Sequence, residues 1–427
     1  MTPAGRRIAL GFVAAAAAAT GVAIGSRDDS PTPTRPPVAR RAPAQQPTPA
    51  RVRAPLPVEV GRLVILRFTG PTLPPYARRA LRGGRAAGVV LFADNVVDPT
   101  QLRALTGAIA SASGGHALVL ADQEGGAVRI VPWAGPAPSA SGQAAAGTVQ
   151  TASRAAGREL RASGVTVALA PVADVPTATG SALAGRAFAS DAAGVATAVG
   201  EAVTGFRAGG VAPAVKHFPG LGAATVNTDD GPVDIAGPPA LAPFEAAVEA
   251  GVPVVMVGHA RHLAIDSRRI ASQSPTVVDG LLRERLGFRG VTVTDSLEAA
   301  AVLETGGVET AARRSVAAGV DLILTTGPGS HLRVYRRLLT EARRSPAFAA
   351  RVRTSARRVR RLQASLAAGS ASKPPPDSRP LRLSAGKGPG ELRLAHLRPT
   401  RDLGPLGALV QVCLRVAPHV HPAEGLA

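Results

Sequence analysis

The chain has 427 residues, 45% of them hydrophobic and only 3% aromatic, with one cysteine and a net charge of +20. That length accommodates one large domain or two small ones and a sizeable core. The scarcity of aromatics argues against an open groove lined with stacking rings. Cys413 alone rules out an internal disulfide and a cysteine-ligated zinc site. The charge by itself suggests nucleic acid or an anionic surface, but residues 1–53 carry a net +6 and residues 351–401 a net +11. The middle of the chain is therefore nearly neutral. Trp133, Tyr76 and Tyr335 are its only Trp and Tyr residues, so a nucleic-acid platform of stacked rings is not expected.

In chain order, Arg6 and Arg7 precede an apolar run from Ile8 to Ile24, followed by the small residues Gly25 and Ser26. Residues 1–26 read as an export signal or a membrane anchor, with residues 8–24 as the anchoring segment. No cysteine follows the run, which disfavours a lipoprotein. Residues 27–57 are rich in Pro, Arg, Thr and Ala without hydrophobic period and read as an extended linker. The protein is expected to work outside the cytoplasm, secreted or tethered to the membrane, as a monomer.

From Val58 onward, short apolar runs alternate with longer Ala/Leu/Arg stretches. Strands are predicted at Leu63–Phe68, Gly88–Phe92, Ala117–Ala121, Val165–Ala170, Val211–Val215, Val252–Val257, Gly290–Thr294 and Val320–Leu324. Near-continuous apolar character suits parallel strands buried on both faces. Helices are predicted between them at Thr100–Ser113, Thr148–Ser163, Ala192–Ala208, Leu241–Ala250, Thr276–Leu286 and Val308–Ala318. Eight strand–helix alternations point to an α/β fold, a (β/α)8 TIM barrel forming a single catalytic domain over residues 58–368. An open doubly wound sheet is the competing reading, but its phosphate-binding glycine fingerprint is missing at Thr69-Gly70-Pro71. A basic amphipathic helix, Ala347 to Leu366, is expected to close the barrel. Residues 369–427 read as a disordered, basic, Pro-rich tail without assigned function.

In such a barrel the site forms where the strands end. Strand three is followed by Asp122-Gln123-Glu124-Gly125-Gly126, strand four by Asp174 and later Gly185-Arg186-Ala187-Phe188. Strand five ends in Lys216-His217-Phe218-Pro219-Gly220, strand six in Gly258-His259-Ala260 and strand seven in Asp295-Ser296. An Asp after a strand is often only a helix cap, and a lone His is usually structural. Several such groups on one rim point to chemistry. Carboxylates that accept from hydroxyls, beside Lys, His and Arg that donate, suit a sugar. Glycoside hydrolysis needs a carboxylate at the anomeric carbon and a second group to protonate the leaving oxygen. Asp295, over the barrel mouth, is the natural nucleophile.

These segments, across residues 58–365, resemble glycoside hydrolase family 3 in its single-barrel β-N-acetylhexosaminidase branch. Lys216-His217-Phe218-Pro219-Gly220 is the most specific piece. Asp122-Gln123-Glu124-Gly125-Gly126, Gly185-Arg186-Ala187-Phe188 and Val293-Thr294-Asp295 follow in the right order. The resemblance implies a retaining enzyme without metal or organic cofactor, which trims N-acetylglucosamine from peptidoglycan fragments. It implies Asp295 as nucleophile, and Asp122, Arg186, Lys216 and His217 as substrate-binding residues. The family's loop after strand five continues Lys-His-Phe-Pro-Gly-His-Gly, then four residues, then Asp-Ser-His, whose last pair supplies the acid/base. Here Leu221 stands for the first His, Asn227 for the orienting Asp and Asp229 for the catalytic His. Three readings of the proton donor follow: Asp229 tuned by Asn227 and Asp230, Glu124 or a group from another loop, or a glycan-binding protein that no longer cuts. His259 is a further auxiliary candidate. A β-glucosidase and a non-catalytic wall-binding protein are the alternative functions. A carboxylate at position 229 would favour water over phosphate as acceptor.

Overall fold

The computed structural model describes residues 54–371. Eight short parallel strands are present: β1 (Val64–Leu66), β2 (Gly88–Leu91), β3 (Leu118–Ala121), β4 (Val167–Ala168), β5 (Ala212–Phe218), β6 (Val254–Val257), β7 (Val291–Thr294) and β8 (Ile323–Leu324). They pair in chain order from β1 to β7, and β1 also pairs with β8, Val64 opposite Ile323. The seam between β7 and β8 is closed by one isolated parallel bridge, Val293 opposite Leu322. Across it Leu322 N donates to Thr292 O at 2.8 Å and Thr294 N to Leu322 O at 3.0 Å. The result is the (β/α)8 barrel, and the open sheet is excluded. Where the backbone ladder is thinnest, a buried polar cluster takes over. Asp321 accepts from Thr292 N at 3.1 Å, Arg283 Nη2 at 2.7 Å and Arg358 Nη1 at 3.1 Å. A buried carboxylate is tolerable only with such partners.

Successive strand side chains point to opposite faces. In β1, Ile65 packs into the interior cluster with Val90, Leu120, Met256 and Val293, while Val64 and Leu66 pack in outer clusters. Val359 and Leu362 from the last helix, Pro346–Ala371, join the interior cluster, so this helix closes the barrel as expected. Burying one Leu or Val there contributes about 1.5–3 kcal/mol.

The helices Ala192–Ala208 and Val308–Ala318 have the expected bounds. Asp98 caps helix Pro99–Ser113 by accepting from Thr100 N at 2.8 Å and Gln101 N at 2.9 Å, and Gly114 ends it at φ 64. Other elements differ. Helix Leu56–Gly61 begins inside the stretch read as linker, and the last helix runs past Leu366 to Ala371. Helices Pro75–Arg82, Ala140–Ala145 and Ser330–Arg344 were not anticipated. The first starts on consecutive prolines, and Pro at the first helical position is favourable. Thr276–Arg285 winds with π-helical pitch. The anchor reading of residues 8–24, residues 27–53 of the linker and residues 372–427 of the tail lie outside the described residues. Among those described, no helix is long and apolar enough to cross a membrane.

Candidate active site

The rim is built outward from rigid elements. After β3 the chain turns into a small antiparallel ribbon, Gln123–Gly125 against Val128–Arg129. The fully buried Gln123 amide pins it, donating to Ala134 O at 2.8 Å and Gly135 O at 2.9 Å. Gly125 is at φ 110, and a Cβ there would lie 2.5 Å from Gln143 Nε2. Only glycine fits. Asp122 and Glu124 are thereby fixed at the barrel mouth.

Glu124 is buried and holds two cations. Arg186 forks onto it, Nε to Oε2 at 2.8 Å and Nη2 to Oε1 at 2.7 Å. Lys216 Nζ, from β5, lies 2.6 Å from Glu124 Oε1 and also donates to Asp122 Oδ1. Burial would raise the Glu124 pKa, but Lys216 and Arg186 outweigh it and hold it down to about 2. Glu124 is therefore held ionised between two cations, which speaks against it as the acid/base. Its stabilising contribution is present above the unfolded pKa of about 4.3. It is lost as pH falls from there through about 2. Glu124→Ala leaves Lys216 and Arg186 without their shared carboxylate and is expected to cost about 3–5 kcal/mol. Chemical denaturation checks this, and an unchanged midpoint would refute it.

His217 follows Lys216 on β5, and the Lys216–His217 and Phe218–Pro219 peptides are cis. Its Nδ1 lies 2.7 Å from Oδ2 of the fully buried Asp174, which also accepts from Leu221 N at 2.5 Å. A carboxylate only accepts, so the proton of that bond sits on Nδ1 and Nε2 faces the cavity, 3.8 Å from Asp295 Oδ2. Sequence reasoning missed Asp174 as a site residue. The available signal was an Asp four residues after the strand-four run, on the same rim. Asp174→Asn offers one acceptor where two are used and should lower turnover on the order of 10²-fold or more, as loss of a histidine-orienting carboxylate does. A variant with full kcat would exclude this orienting role.

Asp295 leaves β7 with Oδ1 accepting from Ser296 N at 2.7 Å. Burial pushes its pKa up, but His217, His259, the Ser296 amide and Lys216 prevail and hold it below the usual carboxylate range. His259 is fully buried behind it. Its Nε2 lies 3.0 Å from Ser296 O and its Nδ1 2.8 Å from Ser272 Oγ. A carbonyl can only accept, so Nε2 carries the proton and Ser272 donates to Nδ1. Burial lowers the His259 pKa, with the Asp295 charge opposing. His259 does not line the cavity; it supports the backbone that carries Asp295.

The loop after β5 folds over the β7 end. Ala300 N donates to Asp229 O at 3.2 Å and Ala301 N to Thr228 O at 3.1 Å. Leu221, where the family pattern has His, is buried with Leu183, Ala224 and Ile235 and anchors the loop's root. Asn227 and Asp229 form a turn in which Asn227 Nδ2 donates to Asp229 Oδ2 at 3.3 Å. The Asp229 pKa is raised, first by desolvation and then by Asp295, with His217 opposing and Asp230 adding a smaller push. Asp230 itself is exposed and does not line the cavity.

Asp122, Glu124, Arg186, Lys216, His217, Asn227, Asp229 and Asp295 all line one cavity of about 280 Å³. That lies just below the ~300–1,000 Å³ range typical of small-molecule sites, room for a single sugar ring. Ser296 and Thr326 complete the wall with their hydroxyls 2.7 Å apart, Thr326 tied to Glu298 Oε2 through its amide at 2.8 Å. Sequence reading finds both at strand ends, Ser296 after strand seven and Thr326 after strand eight, without giving either a role. Among the described residues no cluster of His, Cys, Asp or Glu is arranged to hold a metal ion.

A barrel mouth carrying two carboxylates of opposite pKa displacement, ringed by Arg, Lys and His, is a glycosidase architecture. The family model "Glycosyl hydrolase family 3 N terminal domain" matches residues 59–362. A β-hexosaminidase of Xanthomonas oryzae pv. oryzae is 33% identical over 282 residues, covering 62% of this chain and 84% of that protein. The solved β-N-acetylhexosaminidase of Beutenbergia cavernae aligns at TM-score 0.68 and 32% identity, covering 73% of this chain and 99% of that one. A family 3 β-N-acetylglucosaminidase from Paenibacillus aligns at TM-score 0.70 and 32% identity, covering 78% of this chain and 65% of that one. The chain belongs to glycosyl hydrolase family 3 and is a glycosidase.

Proposed function

We propose that the protein is a retaining, exo-acting glycosidase that releases terminal β-linked N-acetylglucosamine from peptidoglycan fragments. One observation carries the reading: Asp295 and Asp229 share a cavity with room for one sugar, and their pKa values are displaced in opposite directions. Two carboxylates pushed apart in this way divide into nucleophile and acid. Ionised Asp295 attacks the anomeric carbon while protonated Asp229 gives its proton to the departing oxygen, leaving a glycosyl ester on Asp295. Asp229, now a carboxylate, takes a proton from water, whose oxygen displaces Asp295 and restores the β configuration. Asp122, Lys216, Arg186 and His217 hold the sugar hydroxyls. The N-acetyl specificity is supported by the names of the relatives, and the peptidoglycan source by the export signal read at Arg6 to Ile24. The same signal supports a site of action outside the cytoplasm.

The test is hydrolysis of 4-nitrophenyl β-N-acetylglucosaminide beside the β-glucoside, with the first-formed anomer read by NMR. Preference for the N-acetyl substrate and initial β-anomer are expected. An initial α-anomer would sink the retaining mechanism, and preference for the glucoside would sink the specificity. Ionised Asp229 repels a phosphate dianion, so free sugar and no sugar 1-phosphate should form in phosphate buffer.

A further inference from the structure

A second, larger cavity of about 1210 Å³ opens on the other face of the barrel. Ala87 and Ala117, which line it, immediately precede β2 and β3, so it lies at the strands' N-terminal ends, away from the catalytic rim. Five arginines line it, Arg62, Arg353, Arg357, Arg360 and Arg361, against a single carboxylate, Glu59. Four of them fall at spacings of four, three and one along helix Pro346–Ala371 and form a stripe on its outer side. Val352, Ala356, Val359 and Leu362 fill the buried side. Glu59 is 3.9 Å from Arg360 and offsets little of this charge. Arg62 Nη1 is buried without a hydrogen-bond partner. Burial, and then the charge of Arg360, lower the Arg62 pKa, with Glu59 opposing, so an anion entering the cavity would offset the repulsion between the two guanidinium groups. The floor is apolar, formed by Val58, Leu81, Ala86 and Ala87.

We propose that this arginine-rimmed cavity docks the barrel onto an anionic phospholipid surface. The guanidinium groups take lipid phosphates and the apolar floor takes the glycerol and upper acyl region. Guanidinium forks match phosphate oxygens in pairs, and basic residues are drawn to the negative surface of an anionic bilayer. An amphiphilic anion fits better than nucleic acid, because no Phe, Tyr or Trp lines the cavity for bases to stack on. Docked through this face, the catalytic mouth stays open to soluble substrate.

The experiment is co-sedimentation of the full chain with vesicles of phosphatidylcholine alone or with about one third phosphatidylglycerol. Both terminal segments are basic too, so the comparison is between variants of equal charge. Arg353→Gln/Arg357→Gln/Arg361→Gln is set against Arg103→Gln/Arg154→Gln/Arg336→Gln, three exposed arginines elsewhere on the barrel. The cavity variant should lose phosphatidylglycerol-dependent binding at least tenfold, the control less than threefold. Unchanged hydrolysis of the chromogenic substrate by the cavity variant certifies its fold. Equal losses in the two variants, or none in either, would overturn the proposal. So would a cavity variant that keeps vesicle binding but loses binding to a soluble phosphodiester polymer.

Discussion

Asp295→Ala is expected to lower kcat by about 10⁴-fold or more while leaving the thermal midpoint nearly unchanged. The side chain is partly accessible from the cavity and accepts one backbone hydrogen bond, so its removal opens no sealed core. What disappears is the oxygen that forms the glycosyl bond in the proposed mechanism. Azide supplies a replacement. In the vacated space a small anion attacks from the face Asp295 occupied, and the product is the α-glycosyl azide. Recovery of activity with that stereochemistry identifies the nucleophile. Full activity of the unaided variant would refute the mechanism, and rescue with a β-azide product would assign Asp295 the other role.

Asp229→Ala should behave in the complementary way. A poor leaving group needs the proton, so kcat/KM on sugar-linked substrates should fall about 10²–10⁴-fold. A nitrophenolate departs with little help, so the variant should still release a burst of chromophore and then stall as the glycosyl ester accumulates. Azide attacking that ester gives the β-azide. The pH profile separates the two carboxylates further. Asp295 must be ionised, so activity is lost as pH falls through its lowered pKa. Asp229 must be protonated, so activity is lost as pH rises through its raised pKa. Asp229→Asn should abolish the basic limb and spare the acidic one. A basic limb that persists unchanged would exclude Asp229 as the proton donor.

The barrel was legible because its strands are buried on both faces and therefore read as unbroken apolar runs. All eight appear; seven are trimmed at their ends where the backbone leaves the ladder, and the fifth runs past its expected end at Val215 to Phe218. Helix Ser330–Arg344 escaped notice because its nonpolar positions are diluted by five arginines. The π pitch of Thr276–Arg285 leaves no trace in periodicity. At the site, the groups that follow strand ends could be gathered from topology alone: Asp122, Glu124, Lys216, His217 and Asp295. Their division of labour could not. Glu124 and Asp229 are both rim carboxylates in the sequence. Only the three-dimensional structure shows that the first is clamped between Lys216 and Arg186 while the second shares a cavity with Asp295. Asp174 and the Asp321 cluster work through side chains distant in sequence, such as Asp321 and Arg283, 38 positions apart. No local pattern encodes them.

The carbonyls of Thr228 and Asp229 accept from the amides of Ala300 and Ala301, at the start of the helix Ala300–Leu303 that follows Asp295. The segments that carry the proposed proton donor and nucleophile are thus tied by two backbone hydrogen bonds, and on the proposed mechanism the loop needs no separate closure. For a substrate whose bond cleavage is slow, turnover should then be indifferent to solvent friction. Sucrose or glycerol added to raise viscosity several-fold should leave kcat flat, whereas an enzyme that waits for a lid to swing shut would slow in proportion.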